Sequence, residues 1–288
     1  MTLSHRPYRS VLYIPGSNAR ALEKAKSLPV DAIIFDLEDA VAPDEKENAR
    51  NMLRDALATG GYGARARIVR VNGADTPWGA DDLAAFAGQS VEAILLPKVD
   101  SGAAIAAAAK SVADAAGKAA IWAMMETPLG ILNALEIGQA PGMGGFVLGT
   151  NDLAKDLACR TRADRLPMMT ALQTCLLAAR AAGIPCVDGV YNAFRDTDGL
   201  RSECEQGRDL GMDGKTLIHP AQVEVANDVF APTEAEADLA RRQIDAFDAA
   251  MAEGKGLAVL DGKIVENLHV DSARKTLAKL EAIAALGV

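Results

Sequence analysis

The residues in this chain best able to do chemistry are mostly carboxylates, and they recur at the ends of short apolar runs. Asp36, Glu38 and Asp39 close the run that begins at Ala32, Arg70 and Asn72 close the one from Arg67, and Lys98 and Glu126 close the next two. Asn151 and Asp152 follow GFVLG, Asp188 ends the run from Pro185, and His219 ends KTLIH. One arginine thus faces a ring rich in carboxylates. Carboxylate oxygens with few His or Cys neighbours suit a hard cation such as Mg²⁺. That ion takes one or two carboxylates and fills its other positions with water and substrate oxygens.

The elements that must position these groups follow from the runs themselves. SVLYIP (from Ser10), AIIFDLE (Ala32), RIVRVN (Arg67), AILLPK (Ala93), AIWAMME (Ala120), GFVLG (Gly145), PCVDGV (Pro185) and KTLIH (Lys215) make eight, each followed by an amphipathic helical stretch. They are continuously apolar, as strands buried on both faces should be, and their alternation with helices signals βαβ units in a parallel sheet. Eight such units predict an α/β fold of the TIM (β/α)₈ barrel type over residues 1–231. In such a barrel the active site lies at the C-terminal ends of the strands, where the polar residues above fall. Helix starts are marked at Ser17, Asp44, Ser101 and Thr127–Pro128. Residues 232–288 break the alternation and read as a small C-terminal helical and hairpin appendage. It comprises a helix from Thr233 to about Glu253, a β-hairpin turning at Asp261-Gly262, and a helix from Ser272 to Ala285.

Bulk properties narrow the function. The 288 residues are 50% apolar and only 4% aromatic, with a net charge of −9 that repels nucleic acids and anionic membranes. Within the first 26 residues, however, Arg6, Arg9, Arg20, Lys24 and Lys26 stand against Glu23 alone, a local basic stretch fit for a phosphorylated ligand. Cys159, Cys175, Cys186 and Cys204 lack metal or disulfide spacing, and no apolar leader or membrane-length run is found, which predicts a cytoplasmic protein with reduced thiols. Lys98 at a strand end raises imine chemistry as a competing reading. A serine hydrolase lacks a GxSxG element and has only His5, His219 and His269 to draw on as base. GMGGFVLG precedes a strand and so is no dinucleotide fingerprint.

YRSVLYIPGSNARALEKA, AIIFDLEDAVAPDEK, VRVNG, LLPKV, METPLGILN, LGTNDLAKDL and TLIHPAQVEVANDVFAP, in this order from about Arg6 onward, closely resemble the citrate lyase β-subunit-like family of the HpcH/HpaI aldolase superfamily. That family includes malyl-CoA lyases, citramalyl-CoA lyases and (3S)-malyl-CoA thioesterases. The resemblance implies that Glu126 and Asp152 are the protein ligands of Mg²⁺, for which Mn²⁺ can substitute. It implies that Arg70 binds the substrate carboxylate, a task for which a planar fork is suited. Asp36, Glu38 and Asp39 match the acidic block expected to hold metal-bound waters. Tyr13, Asn18 and Lys24 fall where relatives contact CoA, and Ile184 and Pro185 are carried over as backbone contacts to the CoA arm.

The activity implied is Mg²⁺-dependent action on a malyl-CoA or citramalyl-CoA type thioester, either by retro-Claisen cleavage or by hydrolysis to the acid and CoA. The partner is then a small acyl-CoA. Two other readings stay open: a citrate lyase β subunit working on a carrier-protein thioester, and a non-catalytic CoA-ester binding protein. Relatives carry an Asp in a G-x-[ML]-[IV]-D block of the appendage that serves a neighbouring subunit's active site. Here Gly262-Lys263-Ile264-Val265-Glu266 puts Glu266 there, which implies a homotrimer or a homohexamer with shared sites.

Overall fold

The computed structural model describes residues 6–287, so His5 lies outside the described residues. β1 (Ser10–Pro15), β2 (Ala32–Asp36), β3 (Ala66–Arg70), β4 (Ala93–Leu96), β5 (Ala120–Met125), β6 (Met143–Leu148), β7 (Cys186–Asp188) and β8 (Gly214–Leu217) form one closed barrel in chain order. Every neighbouring pair is parallel, including β8 with β1, where Val11 stands opposite Thr216. The expected TIM barrel is therefore the fold. Its strands are buried on both sides, as their unbroken apolar runs require. On β2, Ala32 and Ile34 face a core shared with Ile68, Leu95 and Val147, while Ile33 and Phe35 face the helices.

β6 begins at Met143, ahead of the Gly145 start read from the sequence. Gly144 and Gly145 are poor strand formers, which hid the first residues of the strand. The barrel needs them: a Cβ on Gly145 would come within 2.6 Å of the Trp122 indole. The register slips beside that contact, between Ile121 and Trp122.

Ten helices among the described residues join or follow these strands. They are α1 (Ala19–Ala25), α2 (Lys46–Thr59), α3 (Gly79–Ala87), α4 (Gly102–Asp114), α5 (Pro128–Leu132), α6 (Ala134–Gly138), α7 (Thr150–Asp156), α8 (Met169–Ala182), α9 (Thr197–Leu210) and α10 (Val223–Phe230). Thr127 caps α5 as expected, accepting from the Gly130 N–H at 3.0 Å. Ser101 stands at the start of α4 but makes no side-chain cap bond. Ser17 is not the cap of α1. Asn18 is, through its Oδ1 and the Ala21 N–H at 3.0 Å, because the carboxamide reaches the orphan amide one residue nearer the helix. Asp44 lies in a 3₁₀ turn (Pro43–Glu45), and α2 starts only at Lys46.

Beyond α10 come α11 (Glu234–Ala252), β9 (Ala258–Leu260), β10 (Lys263–Val265) and α12 (Asn267–Leu286). Thr233 and Glu236 cap α11 reciprocally. Asp261 (φ 50°) and Gly262 (φ 75°) are both left-handed, as a two-residue hairpin turn demands. α12 starts before the Ser272 expected from periodicity, since His269 Nδ1 accepts from the Glu266 N–H at 3.1 Å and fixes the first turn there. Phe247, Ala250, Ala258, Val265 and Val270 form a small core of their own. Lys279 on α12 lies in the field of Asp31 and Asp213, which precede β2 and β8, so this helix crosses the face opposite the strands' C-terminal ends. No helix among the described residues is long and apolar enough to cross a membrane.

Candidate active site

The C-terminal ends of the strands enclose a cleft of about 330 Å³ lined by Tyr13, Asp36, Asp39, Arg70, Met124, Glu126, Asn151 and Asp152, together with Val190 and Ile218. The cleft is therefore built from the last residues of β1, β2, β3, β5 and β6 and from loops after them.

Arg70, the last residue of β3, is buried. Its Nε and Nη2 each lie 2.7 Å from the two Asp36 carboxylate oxygens, a bidentate pair across adjacent strand ends. Nη1 faces Glu38 at 2.8 Å and Asp39 at 3.3 Å, and the guanidinium rests 5.0 Å over the Tyr13 ring. Burial alone would lower the Arg70 pKa, but the hydrogen bonds and charge of Asp36 hold it well above the ordinary value. This arrangement revises two expectations. The two-donor fork expected for a substrate carboxylate is spent on Asp36, leaving Nη1 as the donor toward the cleft. Asp36 is not free to hold metal-bound water either, since its oxygens also accept the N–H groups of Glu38 (2.9 Å) and Ala40 (3.1 Å). Glu38 Oε2 is buried and lacks an aligned hydrogen bond, and burial raises its pKa against the opposing pull of Arg70. Asp39 is exposed at the rim.

Glu126 directly follows β5. Its carboxylate is buried (4% exposed), and the single hydrogen bond it accepts among the described residues comes from the Lys98 N–H to Oε1, at 2.8 Å. Burial pushes its carboxyl up to about 7, a rise that the Lys98 N–H opposes and the charge of Glu38 supports. Asp152 lies in the first turn of α7, 3.9 Å from the Lys98 ammonium. No three His, Cys, Asp or Glu side chains among the described residues converge as a ready-made metal cage. A buried, under-bonded carboxylate beside a second, half-exposed one is the donor set Mg²⁺ accepts, with water and substrate completing it. Glu126 and Asp152 fit that ion.

Other strand-end residues turn elsewhere. Asp188 is fully buried and bound by Arg165 Nη1 (2.7 and 2.8 Å) and Lys215 Nζ (3.3 Å), away from the cleft. Asn72 braces the β3 end by donating to Leu37 O and Asp82. His219 accepts from the Ala221 N–H and stacks on Phe194 at 4.6 Å. Tyr13 forms part of the cleft floor, its hydroxyl 3.4 Å from Met124 Sδ, and burial raises its pKa. Lys24 and Asn18 are exposed on and beside α1. Ile184 and Pro185 precede β7 and so lie at the opposite end of the barrel, apart from the cleft; the 3-residue strand separates them from its mouth. Glu266 is exposed at the start of α12, outside the cleft of its own chain.

Sequence reasoning passed over Gly149, Ile218 and the part played by Lys98. A Cβ on Gly149 would lie 2.3 Å from Glu126 Oε2, so glycine is what admits the carboxylate. Its place immediately before the TND turn was a usable signal. Ile218, next to last in the KTLIH run, lines the cleft.

A profile of the HpcH/HpaI aldolase/citrate lyase family matches residues 9–220. The chain is 64% identical over 281 residues to a (3S)-malyl-CoA thioesterase of Cereibacter sphaeroides, covering 98% of this chain and 97% of that one. It is 36% identical over 284 residues to the citrate lyase subunit beta of Escherichia coli, covering 96% and 94%. Among solved structures, CitE from Mycobacterium tuberculosis in complex with magnesium, acetoacetate and coenzyme A superposes with a TM-score of 0.78 at 28% identity, covering 96% of this chain and 100% of that one.

Proposed function

Because the chain belongs to the HpcH/HpaI aldolase/citrate lyase family, we propose that it is a Mg²⁺-dependent acyl-CoA enzyme that hydrolyses (3S)-malyl-CoA to malate and CoA. The observation that carries this reading is the buried Glu126 carboxylate, held by one backbone donor beside Asp152 in a cleft that also presents Arg70. Glu126 and Asp152 would hold the Mg²⁺. When bound, the ion supplies Lewis-acid polarisation and a template for substrate oxygens.

The chain's own residues divide the remaining work. Arg70 Nη1 binds the malyl carboxylate, while the Asp36 pair keeps the guanidinium charged and aimed. Glu38 and Asp39, already on Nη1, yield to that carboxylate and orient water at the rim. Tyr13 and Met124 close the floor and exclude water from below. Lys24 and Asn18 on the basic N-terminal stretch receive the CoA phosphates.

The appendage of residues 232–288 serves the interface of a homotrimer or homohexamer. There Glu266, which is exposed and does not line its own chain's cleft, acts as acid/base in a neighbour's. Retro-Claisen cleavage of the same substrate to acetyl-CoA and glyoxylate, with Glu266 handling the proton, is the second reading, favoured by the 36% identity to a citrate lyase subunit. A carrier-protein substrate is less consistent with the far closer thioesterase relative. Imine chemistry at Lys98 is disfavoured as well. Partial burial opposes its charge, but Asp152, Glu38, Glu126 and Asp39 together raise its pKa, keeping the amine protonated and non-nucleophilic. Four free cysteines, three of them buried, suit a reducing cytoplasm.

Purified protein incubated with Mg²⁺ and (3S)-malyl-CoA tests this directly, with products separated by chromatography. Malate with free CoA, lost on adding EDTA, is the expected result. Acetyl-CoA with glyoxylate selects the lyase, and turnover insensitive to EDTA overturns the metal reading.

A further inference from the structure

Lys98 has a backbone conformation that most residues avoid. Its φ is +48°, left-handed for a side chain with a Cβ, in the short loop between β4 and α4. Such a conformation persists only where the surroundings over-determine it. Here the turn after β5 does so three times. The Thr127 hydroxyl bonds the Asp100 carboxylate, Asn133 Nδ2 donates to Asp100 O at 2.7 Å, and Gly130 is pressed so close to Val99 that a Cβ would lie 2.3 Å from its carbonyl oxygen. The clamp turns two different groups of Lys98 toward the cleft. The N–H meets Glu126 Oε1 at 2.8 Å, and the ammonium lies 3.9 Å from Asp152 Oδ2. Glu126, Glu38 and Asp39 are the other charged groups around the ammonium, and among the described residues no other cation forms an ion pair with Asp152.

We propose that Lys98 is a positioning residue that sets the affinity of this site for a divalent cation: its N–H fixes Glu126, while its ammonium occupies Asp152 until the cation displaces it. The inference rests on the reading of Glu126 and Asp152 as metal ligands. One positive charge cannot stay where two more arrive on the same carboxylate, and the Lys98 side chain, 59% exposed, has solvent to swing into. Its exchange with the ion keeps the carboxylate ring from repelling itself when empty, at the expense of metal affinity.

The test is titration of the full-length protein with Mn²⁺, bound and free ion being distinguished by electron paramagnetic resonance, without substrate. Lys98→Met keeps an unbranched chain one atom shorter and the N–H but removes the charge. It should bind Mn²⁺ about fivefold more tightly, the scale of releasing an exposed ion pair. Lys155→Met, on the same helix as Asp152 but without an ion pair to it, controls for net charge and should change affinity by less than about twofold. In an Asp152→Asn background the Lys98→Met gain should vanish, since the two residues act through one contact. Unchanged or weaker binding by Lys98→Met, or an equal gain from Lys155→Met, overturns the role of Lys98 while leaving a metal site that still binds Mn²⁺. If the unsubstituted protein binds no Mn²⁺, the metal reading itself fails and the proposal with it.

Discussion

Replacing Arg70 by lysine separates what a charge does in this site from what a planar fork does. Arg70 gives two 2.7 Å hydrogen bonds to Asp36, and its third nitrogen serves Glu38 and Asp39. A lysine ammonium can replace one bond to Asp36 or reach the cleft, but not both. Asp36 is 1% exposed, so water cannot make up the loss. With the ammonium turned to the cleft, Asp36 would keep only the two backbone donors of Glu38 and Ala40. A hydrogen bond to a charged group contributes about 1.5–3 kcal/mol, and removing one partner of a buried pair outright costs about 3–5 kcal/mol. Since lysine keeps the charge, the expected loss for Arg70→Lys is about 2–4 kcal/mol of stability. For a chain of this size that is a fall in Tm of about 3–7 °C in calorimetry. With Nη1 gone, KM for the malyl thioester should also rise by about tenfold in a thiol-release assay, with kcat falling. A Tm within about 2 °C of the parent together with an unchanged KM would refute the reasoning. A change in CoA affinity alone would place Arg70 on the CoA arm instead.

Glu126→Gln and Asp152→Asn should each abolish Mg²⁺-dependent turnover with the circular dichroism spectrum intact; full activity of either at sub-millimolar Mg²⁺ would remove that residue from the metal site. The Glu126 carboxyl, pushed up to about 7 by burial, makes metal binding pH-dependent. Its folded pKa is raised, so the protonated form stabilises the metal-free fold at low pH and that contribution is lost as pH rises through about 7. The ionised form is the one a cation takes, so Mg²⁺ affinity should climb about tenfold per unit below 7 and then level off; a Mg²⁺-induced Tm gain that is equal at pH 5.5 and 8 would contradict this. Lys24→Ala should weaken CoA-ester binding about two- to fivefold in calorimetric titration at low salt, with the difference shrinking at high salt and kcat unaffected. Mixed subunits of Glu266→Gln and Glu126→Gln, each inactive alone, should regain partial activity if Glu266 serves a neighbour; none after verified subunit exchange would end that assignment.

Much of this architecture is written locally. A strand buried on both faces must be apolar throughout, so the runs from Ser10 to KTLIH revealed the strands and their number pointed to a barrel, while its closure rests on the β8–β1 pairing seen only in the structure. A hairpin turn with two left-handed residues needs Asp261-Gly262, and the Thr233–Glu236 pair announces α11, because these are constraints within a few residues of chain. The ends of the runs also delivered Arg70, Glu126 and Asp152 to one cleft. Partners were another matter. Arg70 and Asp36 stand 34 positions apart, and only the closed barrel sets their strand ends side by side, which turned the fork away from a free ligand. Asp188 looked equivalent to Asp36 in sequence, but its carboxylate meets Arg165 and Lys215 on the helix side of the barrel. Ile184 and Pro185 fall at the other end of the molecule because they enter β7 rather than leave it. The left-handed Lys98 depends on three contacts from a loop about 30 residues away. Burial of each residue's own segment fixes periodicity, and that is legible along the chain. Which side chain answers which is fixed by packing between segments, and no local pattern carries it.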